Sequence, residues 1–196
     1  YNTHHGGWAT IPSTTDRQLD TIAAHDPHVV VLQEAYAYQL KYYVDGLNSR
    51  LGTDTWHGTS ARTCQEGSEP VCTRYSSESV MILTRLTTLD VNPRLIWARD
   101  EYHVARATIH MTVALEDGTA INVFVCHLPA KAAAAAARLA YVNMFQAWAE
   151  QFTGPKLVGG DFNDTPGTAP VVAMTTQYST AGTALRVLVA RRDGCA

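Results

Sequence analysis

Three short apolar runs constrain this chain more than anything else in it, and each stops on a residue able to do chemistry. Val29-Val30-Val31-Leu32-Gln33-Glu34 stops on an acid, Ile121-Asn122-Val123-Phe124-Val125-Cys126-His127 on a histidine, and Lys156-Leu157-Val158-Gly159-Gly160-Asp161 on a second acid. Apolar runs of this length read as buried strands. Polar residues at their carboxyl ends fall where open α/β sheets gather ligands. Gly159 and Gly160 are expected to turn the chain tightly ahead of Asp161, since neither carries a Cβ.

The intervening segments alternate between helical and strand patterns. Thr14 or Thr15 can cap a helix carrying Leu19, Ile22 and Ala23 at helical spacing, and Asp26-Pro27 ends it. Residues 37–51 place Leu40, Tyr43, Val44 and Leu47 on one helical side. Residues 52–77 read as a long loop. Strands follow at 78–84, at 86–96 (with Pro93 at an edge or bend) and at 104–115. In the last of these Ala105, Ala107, Ile109, Met111 and Val113 face one way, and Arg106, Thr108, His110 and Thr112 the other. Glu116-Asp117-Gly118 supplies a hairpin turn into the strand ending at His127. Residues 131–152, rich in alanine, and the shorter 169–175 read as helices. Several hairpins mixed with helices fit a two-sheet α/β sandwich better than a doubly wound sheet.

The 196 residues suit one domain, 1–196, with a real core, and 46% hydrophobic against 17% charged residues describe a folded chain. No apolar run approaches the ~20 residues that cross a bilayer. The chain starts without Met in strand-like sequence, so it is expected to be a trimmed piece, incomplete at both ends. A net charge of −3 argues against a strong polyanion-binding surface. It does not argue against a metal-dependent hydrolase, whose cation supplies local positive charge. Cys64 and Cys72 flank a short loop and read as a surface disulfide, favouring a secreted or periplasmic protein. Cys126 reads as a buried thiol, and Cys195 has no evident partner.

The segment Asp161-Phe162-Asn163-Asp164 carries the most chemistry. A carboxylate and an amide two residues apart on extended chain can point the same way, which suits a hard cation and the phosphate it carries. An ordinary polar turn is the plainer alternative. Asp164 reads as a turn or helix-capping residue, and Glu34 as a candidate Mg²⁺ ligand or an exposed strand-end acid.

Asn2, within Tyr1-Asn2-Thr3-His4-His5-Gly6, then Glu34, His127 and Asp161-x-Asn163 occur in the order and rough spacing of a known family. The set resembles the endonuclease/exonuclease/phosphatase superfamily, the DNase I-like phosphodiesterases. The resemblance implies two packed mixed β-sheets flanked by helical layers, a four-layer sandwich. It also implies a divalent cation, Mg²⁺ or else Mn²⁺ or Ca²⁺, held by Glu34, Asn2 and Asp161. Asp161 would position the attacking water or a second cation, and Asn163 would donate its amide to a phosphate oxygen. His127 would contact the scissile phosphate or protonate the leaving oxygen, oriented by Glu78. Arg106 resembles a phosphate-contacting arginine, with a solvent-facing strand residue as the alternative. His4 and His5 could border the cleft.

The family's closing Ser-Asp-His has no counterpart here, and no histidine follows His127. Three functions therefore stand. The first is a DNase I-like nuclease acting on nucleic acid or another phosphodiester. The second is a non-catalytic remnant that binds metal or phosphate. The third is a sphingomyelinase-like phospholipid phosphodiesterase, for which Trp56 and Trp97 could build a membrane contact.

Overall fold

The computed structural model describes residues 1–4, 13–65, 78–96, 104–130, 134–179 and 188–189. In chain order the elements are α1 (Ser13–Ala24), β1 (Val29–Tyr36), a 3₁₀ turn (Ala37–Gln39), α2 (Leu40–Leu51), β2 (His57–Arg62) and β3 (Cys64–Gln65). There follow β4 (Glu78–Thr84), β5 (Thr87–Ile96), β6 (Val104–Ala114), β7 (Ala120–His127), α3 (Ala135–Ala149), β8 (Lys156–Asp161), α4 (Ala169–Ser179) and β9 (Leu188–Val189).

Side-chain alternation on the central strands produces the layers. On β4, Met81 and Leu83 join Leu19, Leu32, Tyr43 and Leu47 in a cluster with α1 and α2, while Val80 and Ile82 point the other way. There they meet Ala107, Ile109, Met111 and Val113 of β6 and Val123 and Val125 of β7. Phe124 and Cys126, the alternate residues of β7, pack instead with Tyr141, Phe145 and Trp148 of α3 and Val171 and Met174 of α4. The order is thus helices, sheet, sheet, helices, the four-layer sandwich expected from the sequence. Both faces of both sheets are covered, which is why the strand sequences read as near-continuous apolar runs.

One sheet has the order β1-β4-β2, with β4 antiparallel to both neighbours. In the other, β5 and β7 flank β6 antiparallel, β8 lies parallel to β7, and β9 parallel to β8. The short β3 pairs with the start of β6. Residues 52–77 are accordingly not one long loop, since β2 and β3 lie within them. Their composition, His-Gly-Thr-Ser-Ala-Arg in β2, lacks an apolar alternation because β2 is an edge strand of mostly intermediate exposure. Thr14 and Thr15 lie inside the first turn of α1 rather than ahead of it.

The two glycines ahead of Asp161 belong to strand β8 and do not turn the chain. They are required by close approach instead. A Cβ on Gly160 would stand 2.2 Å from the Cys126 carbonyl oxygen, and one on Gly159 would stand 2.6 Å from Cγ2 of Val31 on the facing sheet. Trp56 is buried, 2% exposed, in the cluster under α2, so it builds core rather than a membrane contact. Cys126 is a buried free thiol. Cys72, and with it the expected bond to Cys64, lies outside the described residues, as do His5, Trp97 and Cys195. Among the described residues no helix is long and apolar enough to cross a membrane.

The polar side of β6 is not open to water, because α3 covers it. Thr108 and His110 are fully buried, and each finds a bonded partner, as buried polar groups must. The Thr108 hydroxyl donates to the Val125 carbonyl at 2.6 Å. Asn122 Nδ2 donates to the Thr153 carbonyl at 2.7 Å, leaving its Oδ1 to accept from His110 Nε2 at 2.8 Å. Asn92 Nδ2 approaches His110 Nδ1 at 3.3 Å, so the network suits a neutral ring protonated on Nε2. That ring lies against Phe152 at 3.7 Å between centroids, and burial pulls the His110 pKa below its ordinary value.

Candidate metal and phosphate site

Tyr1–Thr3 run parallel to β1, with Thr3 N–H donating to the Gln33 carbonyl and Gln33 N–H to that of Tyr1. This places Asn2 beside Glu34. Between Leu32 and Ala35 strand β1 carries one residue more than β4 opposite, a bulge, and Glu34 adopts φ 58° within it. Bulges re-aim side chains, and a non-glycine residue in the left-handed region carries strain on the order of 1–3 kcal/mol. Here the bulge aims a carboxylate between the ends of the two sheets.

From the other sheet, β7 and β8 run parallel with His127 opposite Asp161. Leu128 N–H donates to the Asp161 carbonyl at 2.9 Å and extends that ladder one step further. The close approach of Gly160 to Cys126 sets the two strands side by side immediately before these residues. Ligand atoms of Glu34, His127 and Asp161 all lie within 4.8 Å of one another. His127 Nε2 is 3.6 Å from Glu34 Oε1, with both side chains largely buried.

Asn2 joins the two acids. Its Nδ2 donates to Glu34 Oε1 at 2.9 Å and to Asp161 Oδ2 at 2.8 Å, while its Oδ1 accepts from the His4 backbone N–H at 2.8 Å. The amide oxygen, the atom a cation would take, thus faces the backbone, and the amide nitrogen spaces the carboxylates. Two carboxylates this close repel unless donors or a cation compensate. Hard oxygen donors with free lone pairs fit a small divalent cation, whereas an imidazole nitrogen suits softer metals. The donor set therefore fits a small divalent cation on Glu34 and Asp161, with the His127 imidazole beside them.

Asn163, with φ 47°, closes a tight turn after β8. Its backbone N–H donates to Asp161 Oδ1 and its Nδ2 to the Leu128 carbonyl, both at 2.8 Å. One amide hydrogen of Asn163 is thus committed to the loop after β7 and one remains. Glu78 opens β4 opposite Tyr36, two residues past Glu34 on the neighbouring strand. Arg106 lies near the start of β6, paired with Ile96. Glu78 is not among the three residues of that cluster.

Sequence reasoning passed over Arg138. It is 5% exposed and donates from Nε to Asp164 Oδ2 at 2.9 Å and from a terminal nitrogen to the Pro129 carbonyl at 3.1 Å. Asp164 is thus an ion-pair partner as well as a turn residue. Burial opposes its charge, but the hydrogen bonds from Arg138, Thr165 and Thr168 outweigh burial and lower its pKa. Arg138 ties the loop after His127 to the loop after Asp161. The sequence held one clue: Arg138 is the sole charged residue in α3.

Residues 1–187 match the Endonuclease/Exonuclease/phosphatase family. Among solved structures the chain is similar to the human Nocturnin catalytic domain with bound sulfate, at 20% identity and TM-score 0.59, over 85% of this chain and 62% of that one. It is similar to a Bacteroides thetaiotaomicron mannosyl-6-phosphatase at 15% identity and TM-score 0.62, over 83% and 61%. It is also similar to ANGEL2, a 2',3'-cyclic phosphatase in complex with adenosine-2',3'-vanadate, at 18% identity and TM-score 0.58, over 79% and 45%. The chain therefore spans between 45 and 62% of the length of these structures. No curated protein matches it.

Proposed function

The chain belongs to the endonuclease/exonuclease/phosphatase family, and on that premise we propose that it hydrolyses phosphodiesters of nucleic acid with a divalent cation. The observation that carries the proposal is the convergence of Glu34, Asp161 and His127, with Asn2 donating to both carboxylates. Ester chemistry on phosphorus is in the names of two structural neighbours, a 2',3'-cyclic phosphatase and a mannosyl-6-phosphatase.

Glu34 and Asp161 would hold Mg²⁺ or Mn²⁺ (Ca²⁺ is the third candidate), and Asn2 fixes the spacing between them. A bound cation would draw charge from a phosphoryl oxygen and ease attack on phosphorus. His127, buried at the end of β7, would give a proton to the leaving oxygen, with Glu78 setting its ring. The remaining amide hydrogen of Asn163 and the Arg106 guanidinium would meet phosphoryl oxygens as charge develops there. A secreted or periplasmic location belongs to the same proposal and rests on the spacing of Cys64 and Cys72 alone.

The test is Mg²⁺- and Mn²⁺-dependent nicking of supercoiled plasmid by the chain, with Glu34→Ala and His127→Ala alongside. The expected result is cleavage that falls about 10²–10⁴-fold in each variant, the range for a lost proton donor or positioned group. Cleavage retained by both would refute these assignments. A folded wild-type chain that binds metal but cleaves nothing would favour the non-catalytic remnant.

A further inference from the structure

Two residues beyond Glu34, the chain presents a pair of aromatic rings that the chemistry above does not use. Tyr36 and Tyr38 lie parallel, their planes 7° apart and their centroids separated by 5.5 Å. One face of Tyr38 is against Tyr36, yet Tyr38 is still 63% exposed, so its other face is open to water. Consecutive Cα atoms are 3.8 Å apart, so the Tyr36 Cα stands within about 7.6 Å of that of Glu34. The pair therefore lies at the carboxyl end of β1, the strand end that carries Glu34.

The support under these rings is rigid. Tyr36 precedes the 3₁₀ turn Ala37–Gln39 and Tyr38 lies within it, and the buried Gln39 accepts the Tyr36 N–H on its Oε1 at 2.9 Å. The next turn is anchored by Tyr43, fully buried, whose hydroxyl donates to Gln18 Oε1 at 2.7 Å. A ring held this way loses little freedom when a second ring settles on it.

Resting on the nucleic-acid reading above, we infer that the Tyr36–Tyr38 pair is a stacking seat for a nucleobase next to the phosphate held by Glu34 and Asp161. Every base has a flat π-face, and an exposed aromatic ring binds it without regard to sequence. Charge sharpens the argument. A chain of net charge −3 gains nothing from its overall field when it meets a polyanion. Affinity must then come from local terms, a cation at the site and stacking beside it. Insertion into a lipid surface would call for an apolar face around the rings. Instead the adjoining turn of α2 carries the exposed ion pair Lys41–Asp45, and the Tyr42 hydroxyl donates to Asp16.

The experiment measures binding by fluorescence anisotropy of a labelled single-stranded oligonucleotide and of an abasic strand with the same phosphates, at fixed salt with Ca²⁺. Wild type, Tyr38→Ala and Tyr38→Phe are compared. The expected result is about a tenfold loss of affinity for the base-bearing strand in Tyr38→Ala, within the usual range for one base stack. The abasic strand should bind unchanged, and Tyr38→Phe should stay within about twofold of wild type. A Tyr38→Ala variant that weakens both strands equally or neither, or a wild type that binds the two strands alike or not at all, overturns the inference. Cleavage is read in parallel with Mg²⁺. Tyr38-dependent binding without cleavage keeps the stacking seat and sinks the hydrolytic reading, and cleavage without Tyr38-dependent binding does the reverse.

Discussion

Glu34, His4 and Asn163, three of the four non-glycine residues with positive φ among the described residues, sit at or beside the candidate site. Strain gathered there is what a site looks like when side-chain aim outranks backbone comfort. Glu34→Gly tests this directly. Glycine adopts φ near 58° freely, and the change also removes one of two neighbouring carboxylates. The variant should melt no lower than wild type without metal, while the rise in melting temperature caused by Mn²⁺ disappears. A variant that melts well below wild type with and without metal would show that Glu34 serves the fold rather than the site. At this scale the sequence was informative about which residues gather and silent about which atoms face each other. Glu34, His127 and Asp161 were legible because each ends an apolar run. That Asn2 turns its nitrogen, not its oxygen, toward the acids depends on a backbone contact with His4 that no spacing reveals.

Elements are held in place by two buried polar groups, each with its own measurable consequence. Arg138 on α3 pairs with Asp164 after β8, their side chains only 6% and 12% exposed. Removing one partner of such a pair strands the other, so Arg138→Ala should cost about 3 kcal/mol or more in denaturant unfolding. Replacing both by apolar residues, Arg138→Met with Asp164→Leu, should recover most of that loss. Equal losses in the single and double variants would contradict a stranded charge as the cause. His110, clamped between β5, β7 and the α3–β8 connection, has a pKa lowered from 6.5 by burial, which outweighs the raising influence of Asn122 and Asp90. The folded protein therefore binds this proton less readily than the unfolded chain. The stability that His110 contributes is complete above about pH 6.5 and is lost as pH falls below it, by up to ~1.4 kcal/mol per pH unit. Unfolding free energies should fall as pH drops below about 6.5, and His110→Gln should lessen that fall, to which the buried Tyr1 amino group, lowered to about 6, also contributes; an unchanged dependence would place the titration elsewhere. Strands β4, β6 and β7 were legible from alternation, since their apolar residues define two faces. β2 was not, because an edge strand of glycine, serine and threonine has no apolar face to show. The Gly159-Gly160 pair misled for a related reason. Glycine marks turns and close approaches alike, and only the position of Cys126 and Val31 tells them apart.

At the scale of the whole molecule, the four layers bring strand ends from two sheets to one place. Two packed sheets were readable from hairpins mixed with helices, and the helical layers from the family resemblance, but the sheet orders were not legible. β4 lies between β1 and β2, and β8 beside β7, through pairings far apart in sequence that local pattern cannot carry. The site exists only where those orders meet: Asn2 and Glu34 come from one sheet, His127 and Asp161 from the other. The central claim is that this junction is a divalent-cation site, and Mn²⁺ binding by isothermal titration calorimetry tests it most directly, on wild type, Glu34→Gln and Asp161→Asn. One Mn²⁺ bound by wild type, and affinity falling at least about tenfold in each variant, is the result predicted from two shared carboxylate ligands. Mn²⁺ binding that both variants retain at wild-type affinity, or no binding by a folded wild-type chain, would contradict it.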